Sequence, residues 1–158
     1  MSVIIQGTQL RTILLGSQVS KATGTVANGT TSLFTISGGR IVLTSLIGRV
    51  TTAIGATISN CKLVYNPTAA GTSFDLNTAT AITSDAVEQT YTIAGDVETP
   101  GALLVAGAVG QANGLFSKPY ILQAGALEQN LSADPVGGAI TWTVTYIPYD
   151  DGASLAAA

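Results

Sequence analysis

Nine residues near the C-terminus restrict the fold of this chain more than any other stretch. Along residues 140–148, Ile140, Trp142, Val144 and Tyr146 alternate with Thr141, Thr143 and Thr145. A period of two puts the large apolar side chains on one side of a strand and the threonines on the other. A strand with one buried face belongs to an antiparallel sheet packed on one side only. Pro148 has no N–H for the ladder and closes the run.

The remainder of the chain repeats that theme with weaker signals. Short runs rich in Val, Ile and Thr are separated by Gly, Asn, Asp and Pro, and helical periodicity is nearly absent. Asn28-Gly29, flanked by the runs 21–27 and 30–37, predicts a type I′ hairpin, with Leu33 and Phe34 on opposite faces. Residues 40–54 predict the longest strand. There Ile41, Leu43 and Ile47 fall on one face and Val42, Leu46 and Val50 on the other, the pattern of a strand covered on both sides. Residues 57–65 alternate Cys61, Leu63 and Tyr65 against Asn60, Lys62 and Val64. Further strands are expected at 73–76, 80–83, 89–94, 102–106, 120–123 and 126–131, and the glycine-rich stretch 101–114 is the best candidate for a long loop. Eight to ten strands at this spacing predict an all-β, antiparallel β-sandwich or jelly roll.

The expected organisation is an N-terminal arm at 1–17, the sandwich at 18–149 and a flexible tail at 150–158. The arm carries Ile4, Ile5, Leu10, Ile13, Leu14 and Leu15 with a single charge, Arg11. Its irregular spacing suits an extended element that adds to another sheet as a partner attachment, or that supplies the first strand of its own sandwich. Residues 8–15 are the one plausible helix. Ile140, Trp142, Val144, Tyr146, Ile41, Leu43 and Ile47 are the candidate core or subunit-interface residues.

Composition then narrows function. With 158 residues the chain is long enough for a proper core, yet only 9% of it is charged while 46% is hydrophobic. An average domain has about 25% charged residues. Such a chain has little with which to solvate itself, which suggests that part of its surface is covered by other protein. The six cations (Arg11, Lys21, Arg40, Arg49, Lys62, Lys118) are scattered and the net charge is −3, so no phosphate-binding patch exists. The N-terminus lacks the basic start of a signal peptide, and residues 99–117 are broken by Pro100 and four glycines, unlike a spanning helix.

Chemistry is hard to find. There is no histidine, which removes the commonest general base and metal ligand. Cys61, the lone cysteine, stands mid-strand beside no base and reads as a bland thiol. Asp85 with Glu88 and Asp96 with Glu98 are spaced as carboxylate pairs but sit in turn-like segments. Asp150-Asp151 lacks the further oxygens a hard cation needs. The glycines of 107–114 lack the Gly-Lys-Ser/Thr ending of a phosphate loop. The glycosylation sequons at Asn28 and Asn130 read as chance. No catalytic, cofactor or metal site is expected. Trp142 is either a sugar platform or a core anchor, and its strand favours the core.

Four segments carry a family resemblance. They are Gly-Gly-Arg-Ile-Val-Leu-Thr-Ser-Leu-Ile-Gly-Arg-Val-Thr-Thr-Ala-Ile at 38–54, Lys-Leu-Val-Tyr-Asn-Pro at 62–67, Tyr-Thr-Ile-Ala-Gly at 91–95, and Gly-Ala-Ile-Thr-Trp-Thr-Val-Thr-Tyr-Ile-Pro-Tyr-Asp-Asp-Gly at 138–152. In pattern and order the chain resembles small virion proteins of tailed bacteriophages, of the capsid decoration or cement type. The resemblance implies a jelly-roll homotrimer on the outer capsid surface, made in the host bacterial cytoplasm, that clamps neighbouring major capsid subunits without catalysis. It does not reach the segment before Gly38. A tail or baseplate structural protein, and a carbohydrate- or receptor-binding module using Trp142 and the tyrosines, remain the alternatives.

Overall fold

The structure, a computed structural model, describes residues 6–93, 99–106, 116 and 118–158. One helix, α1 (Gly7–Leu15), precedes twelve strands: β1 (Ser17–Thr25), β2 (Gly29–Ser37), β3 (Ile41–Thr52), β4 (Asn60–Pro67), β5 (Phe74–Asp75), β6 (Thr80–Ala81), β7 (Thr90–Ile93), β8 (Leu103–Ala106), β9 (Tyr120–Leu122), β10 (Gly125–Leu131), β11 (Ala139–Pro148) and β12 (Ser154–Ala157). The first sheet runs β1-β11-β3-β7-β8, with β9 beside β7 on the same edge of β3. The second runs β12-β2-β10-β4-β5, with β6 also on β4. All ladders are antiparallel, and the two sheets pack as a β-sandwich.

The core lies between the sheets and is organised around Trp142. Ile140, Trp142, Val144 and Tyr146 all turn inward from β11, as their alternation requires, and Trp142 is fully buried. Its indole Nε1–H donates to Gln129 Oε1 of β10 at 2.6 Å, a hydrogen bond that joins the two sheets in the middle of the core. Gly48 of β3 lies opposite Trp142 and Tyr91 of β7 opposite Gly48. A Cβ at Gly48 would stand 2.7 Å from the indole, so the glycine gives the ring its room. The Tyr91 and Trp142 rings meet across it with centroids 6.1 Å apart.

Two β-bulges correct the facial assignments. In β3, Leu43 pairs with Tyr146 and Ser45 with Thr145, leaving Thr44 as the extra residue. The period of two is interrupted there. Ile41 and Leu43 point inward before the bulge, Leu46 and Val50 point inward after it, and Ile47 lies half-buried on the outer face. The apparent two-sided strand is a one-sided strand with a phase shift. In β2, Phe34 pairs with Leu127 and Ser32 with Glu128, so Leu33 is the extra residue, and both Leu33 and Phe34 are buried instead of facing apart.

The expected hairpin at Asn28-Gly29 does not form. β1 pairs with β11 in the first sheet and β2 with β10 and β12 in the second, so the dipeptide is a crossover between layers. Buried Val26, whose N–H donates to the Gly138 carbonyl, pins the chain as it crosses. The crossover delivers Leu33, Phe34 and Ile36 to the layer facing Trp142, which a flat hairpin would not do.

Both chain ends also differ from expectation. The segment 150–158 is not a loose tail: β12 pairs with β2 from Ser154↔Ser37 to Ala157↔Phe34, and Leu155 is buried. Alternation of Ala153 and Leu155 inward against Ser154 and Ala156 outward is enough to hold four small residues as an edge strand. Within the N-terminal arm, residues 7–15 are helical, not extended. Gln9, Leu10, Arg11, Leu14 and Leu15 are good helix formers. The Gln6 N–H donates to Gln9 Oε1 at 3.0 Å at the start, and Gly16, at φ 92, ends the helix with its N–H on the Thr12 carbonyl. Ile4 and Ile5 lie outside the described residues, as do Asp96, Glu98 and residues 107–114 of the expected long loop.

Gln129→Leu leaves the indole N–H without an acceptor and is expected to cost about 1–3 kcal/mol. Gly48→Ala forces the ring aside and is expected to cost about 1–3 kcal/mol. Urea denaturation followed by circular dichroism measures both, and an unchanged midpoint for Gly48→Ala would show that the ring has spare room. Removing residues 154–158 exposes the edge of β2 and takes the buried Leu155 side chain out of the core. A clear drop in melting temperature is expected, whereas a free tail would leave it unchanged.

Candidate functional site

Among the described residues, the thiol, the Asp85–Glu88 pair and Asp150 are each buried or engaged. Cys61 is fully buried, and burial pushes its thiol up to about 12, far from a thiolate at neutral pH. Asp85 accepts a hydrogen bond from the buried Tyr91 hydroxyl at 2.7 Å, and burial first, then this carboxylate, push the phenol well above its ordinary range. Glu88 faces Arg49 at 3.3 Å on an exposed edge. The Asp85–Glu88 pair is thus divided between two unrelated partners. Among the described residues, no three Asp, Glu, Cys or His side chains group as metal ligands, and no helix is long and apolar enough to cross a membrane. Trp142 is a core anchor, and Tyr120 is buried against Phe116.

The second aspartate cluster is structural. Asp150 accepts from the Arg40 Nε and Nη2 at 2.9 and 2.8 Å and from the Arg40 backbone N–H at 2.8 Å. The same guanidinium lies 4.6 Å over the Tyr149 ring. This clasp fixes the turn by which the chain leaves β11 for β12. The Arg40 side chain, then its backbone N–H, hold the Asp150 carboxyl down at about 2.

What remains is surface, and it is unusual. Leu10, Ile13 and Leu14 sit at the i, i+3, i+4 spacing of one helical face, and that face points to solvent: Ile13 is 65% and Leu14 67% exposed. Leu15, also exposed, tethers the helix end to the sandwich, its carbonyl accepting from Thr44 Oγ1 at 3.1 Å. Gly16 packs so closely on the Tyr146 carbonyl and the Ile147 side chain that a Cβ there would collide with both. Beside this anchor, three aliphatic residues stand in register on the outer face of the first sheet: Ile147 of β11, Val42 of β3 and Ile121 of β9. Ile121 is 57% exposed and also lines a cleft of about 260 Å³ with Tyr65, Pro67 and Phe74. At the opposite end of the sandwich, the loops carry exposed Ile58, Val87 and Val136, and Val136 adopts φ 58, strained for a β-branched residue.

The predicted residues therefore divide cleanly. Ile140, Trp142, Val144, Tyr146, Ile41 and Leu43 form core, Ile47 lies on the outer face, and Leu10, Ile13, Leu14 and Leu15 form an exposed helical surface. Sequence reasoning missed the Ile147–Val42–Ile121 row, because its three members come from three strands and only register brings them together. Comparison with known protein families, curated proteins and solved structures finds no match for this chain.

The Asp150 clasp has a pH signature. A depressed carboxyl contributes stability that is complete above the ordinary carboxylate range, near pH 4, and is lost as pH falls through about 2. Asp150→Asn is expected to melt below the wild type at pH 7, with the two melting curves converging near pH 2. A constant gap across that range would mean the charge contributes nothing.

Proposed function

We propose that this chain is a non-enzymatic structural protein of a bacteriophage particle, of the capsid decoration type. It associates with copies of itself as a homotrimer and seats on the outer surface of the major capsid protein shell. The observation that carries the reading is the outward-turned apolar face of α1 beside the aliphatic row of the first sheet, in a chain with 9% charged residues. Apolar surface of that kind marks a protein contact.

Three further points support it. Among the described residues, the Cys61 thiol is buried and Asp85 and Glu88 are each engaged by a separate partner. Scattered cations disfavour direct contact with nucleic acid. The four segments between 38 and 152 resemble the decoration family in order and pattern. A tail or baseplate protein would use the same surface. A sugar-binding module has less to stand on, since Trp142 is buried and one face of the exposed Tyr149 ring is taken by the Arg40 guanidinium.

The reading is tested by native mass spectrometry of the purified protein at micromolar concentration, followed by co-sedimentation with undecorated shells of the phage. A trimer that pellets with the shells, and raises their resistance to heat, is expected. Deleting residues 2–15 stops short of β1, so the sandwich should still fold while self-association or shell binding is lost. A soluble wild-type monomer that ignores the shells overturns the proposal.

A further inference from the structure

Resting on this oligomeric reading, we propose that α1 of one copy packs on the Ile147–Val42–Ile121 row of a second copy, with Arg11 of the first meeting Asp151 of the second. The argument begins with the helix. Nine residues make a helix that is marginal by itself in water, since isolated helices shorter than about 12–15 residues rarely persist. Tertiary packing of an apolar face normally supplies the missing stability. Here that face, Leu10 with Ile13 and Leu14, points away from its own sheet, and Thr44 and Gly16 hold the C-terminal end of the helix on the sandwich.

The receiving surface fits in size and chemistry. Three strands at about 4.8 Å spacing make a row about 10 Å across, and a nine-residue helix is about 14 Å long. At its far end the row opens into the cleft of Tyr65, Pro67 and Phe74, which leaves a hollow for one projecting aliphatic side chain. None of Ile147, Val42, Ile121 or the cleft residues is charged. A strongly charged occupant would lose its hydration there without compensation.

Charge selects a second copy among the apolar occupants. Arg11 is the one charge on α1, is exposed, and makes no ion pair among the described residues. Asp151 follows the row by four residues beyond Ile147, is exposed, and likewise makes none, whereas its neighbour Asp150 is taken by Arg40. One unpaired cation on the helix and one unpaired anion in the turn that follows β11 match between copies. Each copy offers both surfaces, so a closed ring leaves neither uncovered.

Sedimentation velocity on the full chain tests this. Leu14→Asp disables the helix, Ile121→Asp disables the row, and Ile58→Asp at the distal loops is the control. All three positions are exposed, and circular dichroism verifies that the variants fold. Leu14→Asp and Ile121→Asp are each expected to sediment as monomers, and Ile58→Asp as wild type. Mixing the two monomeric variants restores one intact contact and should yield a hetero-dimer, which damaged folds would not do. Arg11→Asp is expected to weaken association about five-fold, and adding Asp151→Arg in the same chain to restore it. An oligomer that survives Leu14→Asp or Ile121→Asp, or mixed variants that stay apart, overturns the proposal while leaving self-association intact. Failure of the charge exchange to restore binding removes the Arg11–Asp151 contact. A monomeric wild type would instead defeat the oligomeric reading itself.

Discussion

The sandwich is centred on one hydrogen bond buried in the core between its sheets. A buried indole N–H must find an acceptor, because an unsatisfied polar group in the core costs more than a satisfied one contributes. Trp142 finds Gln129, and Gln129 has no other reason to be inside: it is one of the few polar side chains buried between the sheets. The pair fixes the lateral position of β11 over β10. Apolar contacts alone would tolerate a slide; a hydrogen bond between two specific residues on facing sheets does not. The glycine at position 48 is the other half of that constraint, since the indole occupies the space in front of it and reaches Tyr91 beyond.

Around this centre the bulges at Thr44 and Leu33 re-aim the side chains of the longest strands. Each adds a residue to one strand, bends it, and switches which parity faces inward. The consequence for the surface is direct. Val42 turns outward before the bulge and Ile47 after it, so the outer face of the first sheet carries aliphatic side chains among its threonines. The shortage of charge seen in composition is thus a feature of particular places: the outward face of α1, the row beside it, and the distal loops with Ile58 and Val136.

Much of the fold was legible in the chain, and the reason is local. Alternation in β11 and in β4 reports which side is buried, because the period of a strand is built into its backbone. The all-β class, most of the strands and the burial of Trp142 follow from such patterns. The bulges were not legible: a phase shift in β3 looks identical to a strand apolar on both faces until the partner strand is known. The Asn28-Gly29 turn was misread for a similar reason, since the dipeptide favours a reversal of the chain but does not say whether the next strand returns beside the last or crosses to the other layer. β12 was missed because Ser-Leu-Ala-Ala carries almost no pattern, and only the open edge of β2 makes it a strand.

By itself, then, the sequence determined the class of fold, the buried face of its central strand and the scarcity of charge, all properties that residues express through their own backbone and neighbours. Tertiary structure decided which layer each strand joins, that the N-terminal segment is a helix with its apolar face outward, and that Ile147, Val42 and Ile121 form one surface. These depend on the register between strands far apart in the chain, which the order of residues along a single strand does not encode.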